Sequence, residues 1–177
     1  MPAEPVAVGF ANTRSSPRRD RIEGIDRWHA WSDARDGLRT LGRAVDADGL
    51  AELRAVRDDV QEVLRAAALA RTPDHAAAER LLWLARTPPP FGLGWRGDRY
   101  ELTVPPDGTP AAALAHHLAS AAVGLLVTGP PLAVCQGENC LKLFVATRAD
   151  RRWCDGAACG NRARVRSHHR RHNRPDV

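Results

Sequence analysis

Apolar residues in this chain recur mostly at spacings of three and four, the period of helices that bury one face. Over residues 49–69, Leu50, Leu53, Val60, Val63, Leu64 and Ala67 form one stripe, and Asp48 stands where a side chain can cap the first turn. Residues 24–34 place Trp28 and Trp31 at helical spacing. Another helix is predicted over 74–86, carrying Leu81, Leu82 and Leu84, and the prolines at 88–90 end it. The period then changes to two. Phe91, Leu93 and Trp95 alternate, as do Tyr100, Leu102 and Val104, with Gly97-Asp98 between them, which predicts a two-stranded hairpin. Thr109-Pro110 opens the next helix, with Thr as cap and Pro in the first turn. The first twenty residues read as irregular apart from an apolar piece at 6–10. Gly129-Pro130-Pro131 marks a boundary, after which short strands at 132–134 and 141–145 precede a helix from about 156 to 172. The pattern predicts an α+β, helix-rich fold. A mainly helical body with a β-hairpin occupies 1–130, and a small second domain over 131–177 ends in a basic helix.

Apolar residues make up 44% of the chain, enough for a real core. The most apolar stretch, 110–127, carries His116, His117 and Ser120 and is rich in Ala, so it reads as a buried helix of a soluble protein and not as a membrane span. The N-terminal twenty residues lack the apolar run of a signal peptide, and a cytoplasmic, reducing location is expected. Of 26 basic residues, 25 are Arg and one, Lys142, is Lys. From 148 to 177 nine Arg face three Asp, a net of +6, while the rest of the chain sums to −1. That asymmetry points to a polyanionic partner for the tail.

Four cysteines lie in the last quarter as two matched pairs, Cys135-Gln-Gly-Glu-Asn-Cys140 and Cys154-Asp-Gly-Ala-Ala-Cys159. In a reducing compartment such clustering favours metal over two disulfides or four unrelated buried thiols. Four thiolates suit one tetrahedral zinc ion with no open position, a structural site. A module of this length buries little apolar surface, and zinc would supply the missing stability. His168, His169 and His172 are not needed as ligands once the thiolate set is complete.

Placed on a helix, Arg162, Arg166, Arg170 and Arg174 follow an i, i+4 row, and Arg164 and Arg171 form a second. The remaining arc, Ala158, Asn161, Val165, His168 and His172, is expected to pack on the module. Arg151, Arg152 and Arg162 lie close enough to the cysteines to offset thiolate charge. Together Arg151, Arg152, Arg162, Arg164, Arg166, Arg170, Arg171 and Arg174 are the candidate nucleic-acid contacts, because guanidinium groups pair bidentately with phosphate and with guanine edges. A merely solvated basic helix is the plainer alternative.

No catalytic pattern appears in the body: there is no phosphate-cradling glycine loop, no HExxH and no cysteine left over as a nucleophile. The chain is not expected to be an enzyme. Trp28, Trp31, Trp83 and Trp95 are expected chiefly in core packing, with a flat-ligand pocket as the alternative, and Trp153 is expected to pack in the small module. Three functions remain open on this reading. They are a zinc-dependent nucleic-acid-binding regulator, a protein-interaction adaptor, and a small-molecule-binding or enzymatic body with the zinc module as a prop.

The segment 132–171, LAVCQGENCLKLFVATRADRRWCDGAACGNRARVRSHHRR, closely resembles the CGNR zinc finger of bacterial regulators. Its cysteine pairs, Phe144, the RRWC step at 151–154, the tetrad Cys159-Gly160-Asn161-Arg162 and the basic helix carry the resemblance. The resemblance implies that Cys135, Cys140, Cys154 and Cys159 bind zinc and that the partner is nucleic acid, DNA rather than RNA. Gly9-Phe10-Ala11-Asn12-Thr13 resembles a step of the ABATE domain of stress-induced transcription regulators, which implies a body that senses an effector; the SSPRRDRIEG that follows departs from that pattern. Within the tetrad, Gly160 is expected to allow close backbone approach beside the metal loop, Asn161 to tie loop to helix, and Arg162 to screen the thiolates.

Overall fold

The structure, a computed structural model, describes residues 4–35, 37–87, 92–104 and 108–172, with backbone alone at 96, 101, 102 and 170–172. Helix α6 (Pro110–Thr128) runs through the middle of the body. It packs against α4 (Ala47–Ala68), α5 (His75–Arg86), α1 (Val6–Ala11) and α3 (Arg39–Arg43). Its Ala113, Leu114, Leu118, Ala119 and Ala122 are fully buried. Alanines at three of these five positions let neighbouring backbones come close, while the two leucines fill the space between them. By length and composition alone α6 could cross a bilayer, and here it is the core helix on which the others rest.

The caps explain the helix starts. Thr109 accepts from the Ala112 N–H, and Pro110 takes the first turn, where its missing N–H costs nothing. Asp74 accepts from the Ala77 N–H at 2.9 Å. The cap of α4 is Asp46, accepting from Gly49 N–H at 2.8 Å, and not Asp48, which lies inside the first turn. In the stripe of α4, Leu50, Leu53, Val60, Val63 and Leu64 are buried as expected, and Ala66 takes the place predicted for Ala67.

The described residues before α2 (Ile25–Asp33), 4–24, hold regular structure. Helix α1 is almost wholly buried, and β1 (Arg14–Ser16) pairs antiparallel with β2 (Arg19–Asp20). This hairpin is fastened by charge. Arg57 of α4 is 1% exposed and donates to Asp20 Oδ1 at 2.7 Å and to Asp58 Oδ1 at 2.9 Å. Arg54 donates to the other Asp20 oxygen at 3.1 Å. Burial alone would raise the Asp20 pKa, but the Arg57 hydrogen bond and the two guanidinium charges outweigh it, so the carboxyl sits below its usual range. Gln61, also on α4, donates to the carbonyls of Ala11 and Arg14 at 2.8 and 2.9 Å.

Trp28 and Trp31 stack in the core at 5.4 Å, and the Trp28 indole N–H donates to the Gly42 carbonyl. The hairpin β3 (Gly92–Arg96) and β4 (Arg99–Thr103) pairs Leu93 with Leu102 and Trp95 with Tyr100. The prolines at 88–90 and Phe91 lie outside the described residues. The expectation that all four body tryptophans pack in the core is corrected here. Trp83 and Trp95 are 60% and 63% exposed, and Trp95 meets Tyr100 edge to face.

Past Gly129 come β5 (Leu132–Val134) and β6 (Leu143–Val145), antiparallel with Leu132 opposite Val145, then a single wide turn over Gly156–Gly160 and helix α7 (Asn161–His172). This module is seated on the body through β5, whose Leu132 and Val134 pack against the body core, and through hydrogen bonds of residues 141–143. Leu141 N–H donates to Ser15 O at 3.0 Å, Arg65 donates to Leu141 O at 2.8 Å, and Asn12 exchanges two bonds with Leu143. Leu143 itself joins the body core with Val60, Leu64 and Ala119.

Candidate metal centre and nucleic-acid interface

The first cysteine pair is a closed loop hung on a strand end. Cys135 continues β5, its N–H donating to the Lys142 carbonyl at 2.9 Å. The chain then reverses, with Cys140 N–H bonded to Gly137 O and Asn139 in the left-handed region at φ 58°. Asn tolerates that region better than most residues, and its backbone turn returns the chain so that Cys140 faces Cys135. Gly137 is required by space. A Cβ there would meet Cys159 Sγ at 3.2 Å and the Cβ atoms of Cys140 and Cys159 at 3.3 Å.

The second pair straddles the wide turn. Asp155 accepts from Ala158 N–H at 2.8 Å, and its carbonyl takes both Cys159 N–H and Gly160 N–H at 3.0 Å. The six-residue closure from Asp155 to Gly160 is a π-type turn, a form that recurs at functional sites. Bonds from the Ala158 and Ala157 N–H groups hold the Asp155 carboxyl below its usual range. The two halves are joined by Gln136 N–H to the Arg152 carbonyl at 3.0 Å.

This folding brings the four sulfurs within 4.8 Å of one another. Cys140 Sγ lies 3.8 Å from Cys154 Sγ, which lies 3.7 Å from Cys159 Sγ. Zinc–sulfur bonds of about 2.3 Å in a tetrahedron put sulfurs about 3.8 Å apart, whereas a disulfide needs about 2.05 Å. All four cysteines are free thiols, so the geometry fits one zinc ion and leaves no pair bonded. The donor set is also prepared for negative charge. Cys135 Sγ accepts N–H bonds from Gly137 and Cys154, both at 3.4 Å. Burial works against ionising that thiol, but these bonds win and lower its pKa. Cys140 and Cys154 are pushed up, by burial first and then by the neighbouring sulfurs. Four thiols this close cannot all ionise alone; a divalent cation resolves the conflict, and its binding must release protons. Among the described residues the group that converges is the four cysteines, without a histidine.

The arginines divide into two groups. Arg151 lies over the Phe144 ring at 4.4 Å and donates to the carbonyls of Trp153 and Cys154, holding the finger together from inside. Arg162 is exposed and donates to Cys159 Sγ at 3.3 Å, as expected of a residue that screens thiolate; that bond and the thiolate charge raise its own pKa. Arg152, Arg164 and Arg166 are exposed, Arg164 with a long bond to Gly156 O and Arg166 paired with Glu138. Arg170 and Arg171 continue α7 in backbone, and Arg174 lies outside the described residues.

Three local expectations are corrected. The predicted packing arc of α7 does not pack: Val165 is 47% exposed, and the helix touches the finger mainly through the turn at its start. A helix this polar has no apolar stripe to bury, so one valine does not hold it down. Gly160 gives room to the Trp153 ring, 3.1 Å from where its Cβ would be, and the close approach to the sulfurs belongs to Gly137. Asn161 opens α7 exposed, with no side-chain hydrogen bond among the described residues, so it ties nothing to the loop. Trp153 packs with Phe144, Ala133 and the cysteines, as expected.

Fold and site together define a helical body carrying a structural four-thiolate zinc finger. The chain belongs to the ABATE family, described as a putative stress-induced transcription regulator, whose model matches residues 4–129; the CGNR zinc finger model matches residues 132–172. No curated protein matches the chain.

Proposed function

We propose that the protein is a non-enzymatic, cytoplasmic transcription regulator that binds nucleic acid, duplex DNA in preference to RNA, through the arginines of α7. The observation that carries this reading is the way α7 leaves the finger. It starts two residues after the ligand Cys159 and is exposed through its described side chains apart from the half-buried Ala163. Arg162, Arg164 and Arg166 fall on its first two turns, with no acid on the helix itself. An α-helix about 10–12 Å across with its side chains fits a major groove about 12 Å wide, and α7, with 12 residues and a length of about 18 Å, can lie along one when projected from a fixed base. The zinc ion, when bound, supplies rigidity at that base and takes no part in contact. Guanidinium pairing with phosphate gives most of the affinity in this reading, so salt should weaken it steeply. The Arg166–Glu138 pair is exposed and is worth little, so a phosphate displaces the carboxylate readily. Both family descriptions point the same way.

The test is fluorescence anisotropy of a labelled random-sequence duplex against the zinc-loaded protein over a salt series. Affinity should fall by orders of magnitude from low to moderate salt; a flat salt response would remove the phosphate-contact basis of the proposal.

A further inference from the structure

Where the finger sits on the body, a cleft of about 850 Å³ opens between α1 and α2 on one side and residues 142–156 on the other. The two Asn12–Leu143 bonds form part of its wall, so its shape depends on the docked arrangement. Body and finger each contribute cations. From the body come Arg21 and Arg35; from the finger come Lys142 and Arg152, together with Arg148, paired with Asp150, and Arg151, which donates to the carbonyls of Trp153 and Cys154. The other carboxylates of the lining are Glu4, which accepts from Asn12, and Asp155, which accepts from the Ala158 N–H. The Arg21, Lys142 and Arg152 side chains have no hydrogen-bond or ion-pair partner among the described residues.

Arg35 is the most telling. It is half-buried, stacked over the Trp31 ring at 3.9 Å, and spends one N–H on the Trp31 carbonyl at 2.8 Å. Glu4 is near enough to act on its charge, yet the two form no ion pair. A desolvated guanidinium with donors to spare is costly unless something answers it. One Glu4 oxygen, Oε1, accepts the Asn12 amide N–H at 3.0 Å, and the other faces the same space beside Gly9 as the Arg35 guanidinium without reaching it.

We propose that this cleft binds a small organic anion, a carboxylate or phosphate carried on a flat ring, held between Arg21 and Arg35 of the body and Lys142 and Arg152 of the finger. The cleft is the size of pockets that enclose such molecules, and it lies at a seam between two units, where they are commonly found. A bare inorganic ion would fill little of it; a ring has the Trp153 indole to lie against. Such a ligand touches Trp153 and Lys142, each adjacent in sequence or nearly so to a zinc ligand, and also touches the body. It therefore favours the docked arrangement over any other by its differential contacts. The inference does not depend on α7 binding nucleic acid.

The experiment uses the zinc-loaded full chain and two probes, 2-naphthoate and its neutral isostere 2-naphthamide, followed by calorimetry and tryptophan fluorescence. One saturable naphthoate site per chain is expected, with the amide weaker by about tenfold or more, the value of a charge-assisted hydrogen bond. Arg21→Ala and Arg35→Met should each weaken naphthoate by about tenfold, and Arg27→Ala, which is outside the cleft lining and paired with Glu23, should not change it. If Arg35→Met does not fold, the exposed Arg21→Ala decides. The proposal is overturned by any of three results: no saturable naphthoate binding, equal affinity for acid and amide, or wild-type affinity in Arg21→Ala. Displacement of naphthoate by an equimolar duplex would also overturn it, because it would assign these cations to the nucleic-acid surface.

Discussion

Asn12 and Leu143 lie 131 residues apart in the chain and exchange two hydrogen bonds, Asn12 Nδ2 to Leu143 O at 2.9 Å and Leu143 N to Asn12 Oδ1 at 2.8 Å. The side-chain amide pairs with the strand as another strand would. A side chain of the body thus holds the finger strand three positions after the ligand Cys140. Leu143 is buried, so its N–H and carbonyl have no water to fall back on. Asn12→Ala should cost about 2–4 kcal/mol, from two lost bonds and two orphaned backbone groups. Calorimetric melting checks the size, and hydrogen exchange at Leu141 and Leu143 should rise in the variant. Unchanged protection there would mean that the finger is docked by other contacts.

A second prediction concerns Arg57, the charge buried in the predicted apolar stripe of α4. Asp20→Asn leaves that guanidinium with Asp58 alone, at 43% exposed a wetter partner. We expect a loss of about 2–4 kcal/mol by denaturant titration, and Arg57→Met to cost less than Asp20→Asn because it removes the buried charge itself. The reverse order would show that the pair is a net stabiliser in its own right.

The same carboxylate sets a pH response. The folded Asp20 pKa lies below its ordinary value near 3.8. Its contribution is fully present above that ordinary value and is lost as pH falls through the lower folded pKa. Stability should therefore drop on acidification below about pH 4, and the drop should be shallower in Asp20→Asn. Equal acid sensitivity in both proteins would place the titration elsewhere.

Gly137→Ala should weaken zinc retention by about tenfold, because the added methyl meets Cys159 Sγ and the Cβ atoms of two ligands, none of which can move without moving the site. Competition with a chromogenic chelator reads this directly. Gly160→Ala meets only the Trp153 ring, and should cost stability of the finger more than zinc affinity.

What the sequence revealed, and what it hid, follows one physical line. Features set by neighbours in the chain were readable: the period of α4, the cap Thr109, the helix over 74–86, Trp28 and Trp31 on α2, and the two cysteine loops with Phe144 and Trp153 between them. Features set by distant partners were not. Asp48 reads as the cap from its place before the apolar stripe, and only the folded start of α4 shows the cap to be Asp46. Arg57 looks like a break in an apolar stripe until Asp20 is brought beside it. Asn12 stood in a recognised step, yet its partner is in the other half of the chain. The segment 14–20 looks irregular because its pairing is short and is secured by α4 side chains, and α3, with Thr40 and Gly42 in five residues, has too little helical pattern to be seen. The arc of α7 was misjudged because helical spacing says where a face is, not whether anything covers it.

The central claim is that a zinc-held finger projects α7 arginines toward nucleic-acid phosphate. Binding of a labelled duplex should be measured by anisotropy for the zinc-loaded protein, the chelated protein and an Arg164→Ala/Arg166→Ala variant that still holds one zinc per chain. The account predicts affinity lost on chelation and restored by zinc, and weakened at least about tenfold in the variant with a smaller salt slope. Affinity that survives removal of the metal, or that is the same in the variant at every salt concentration, would contradict it.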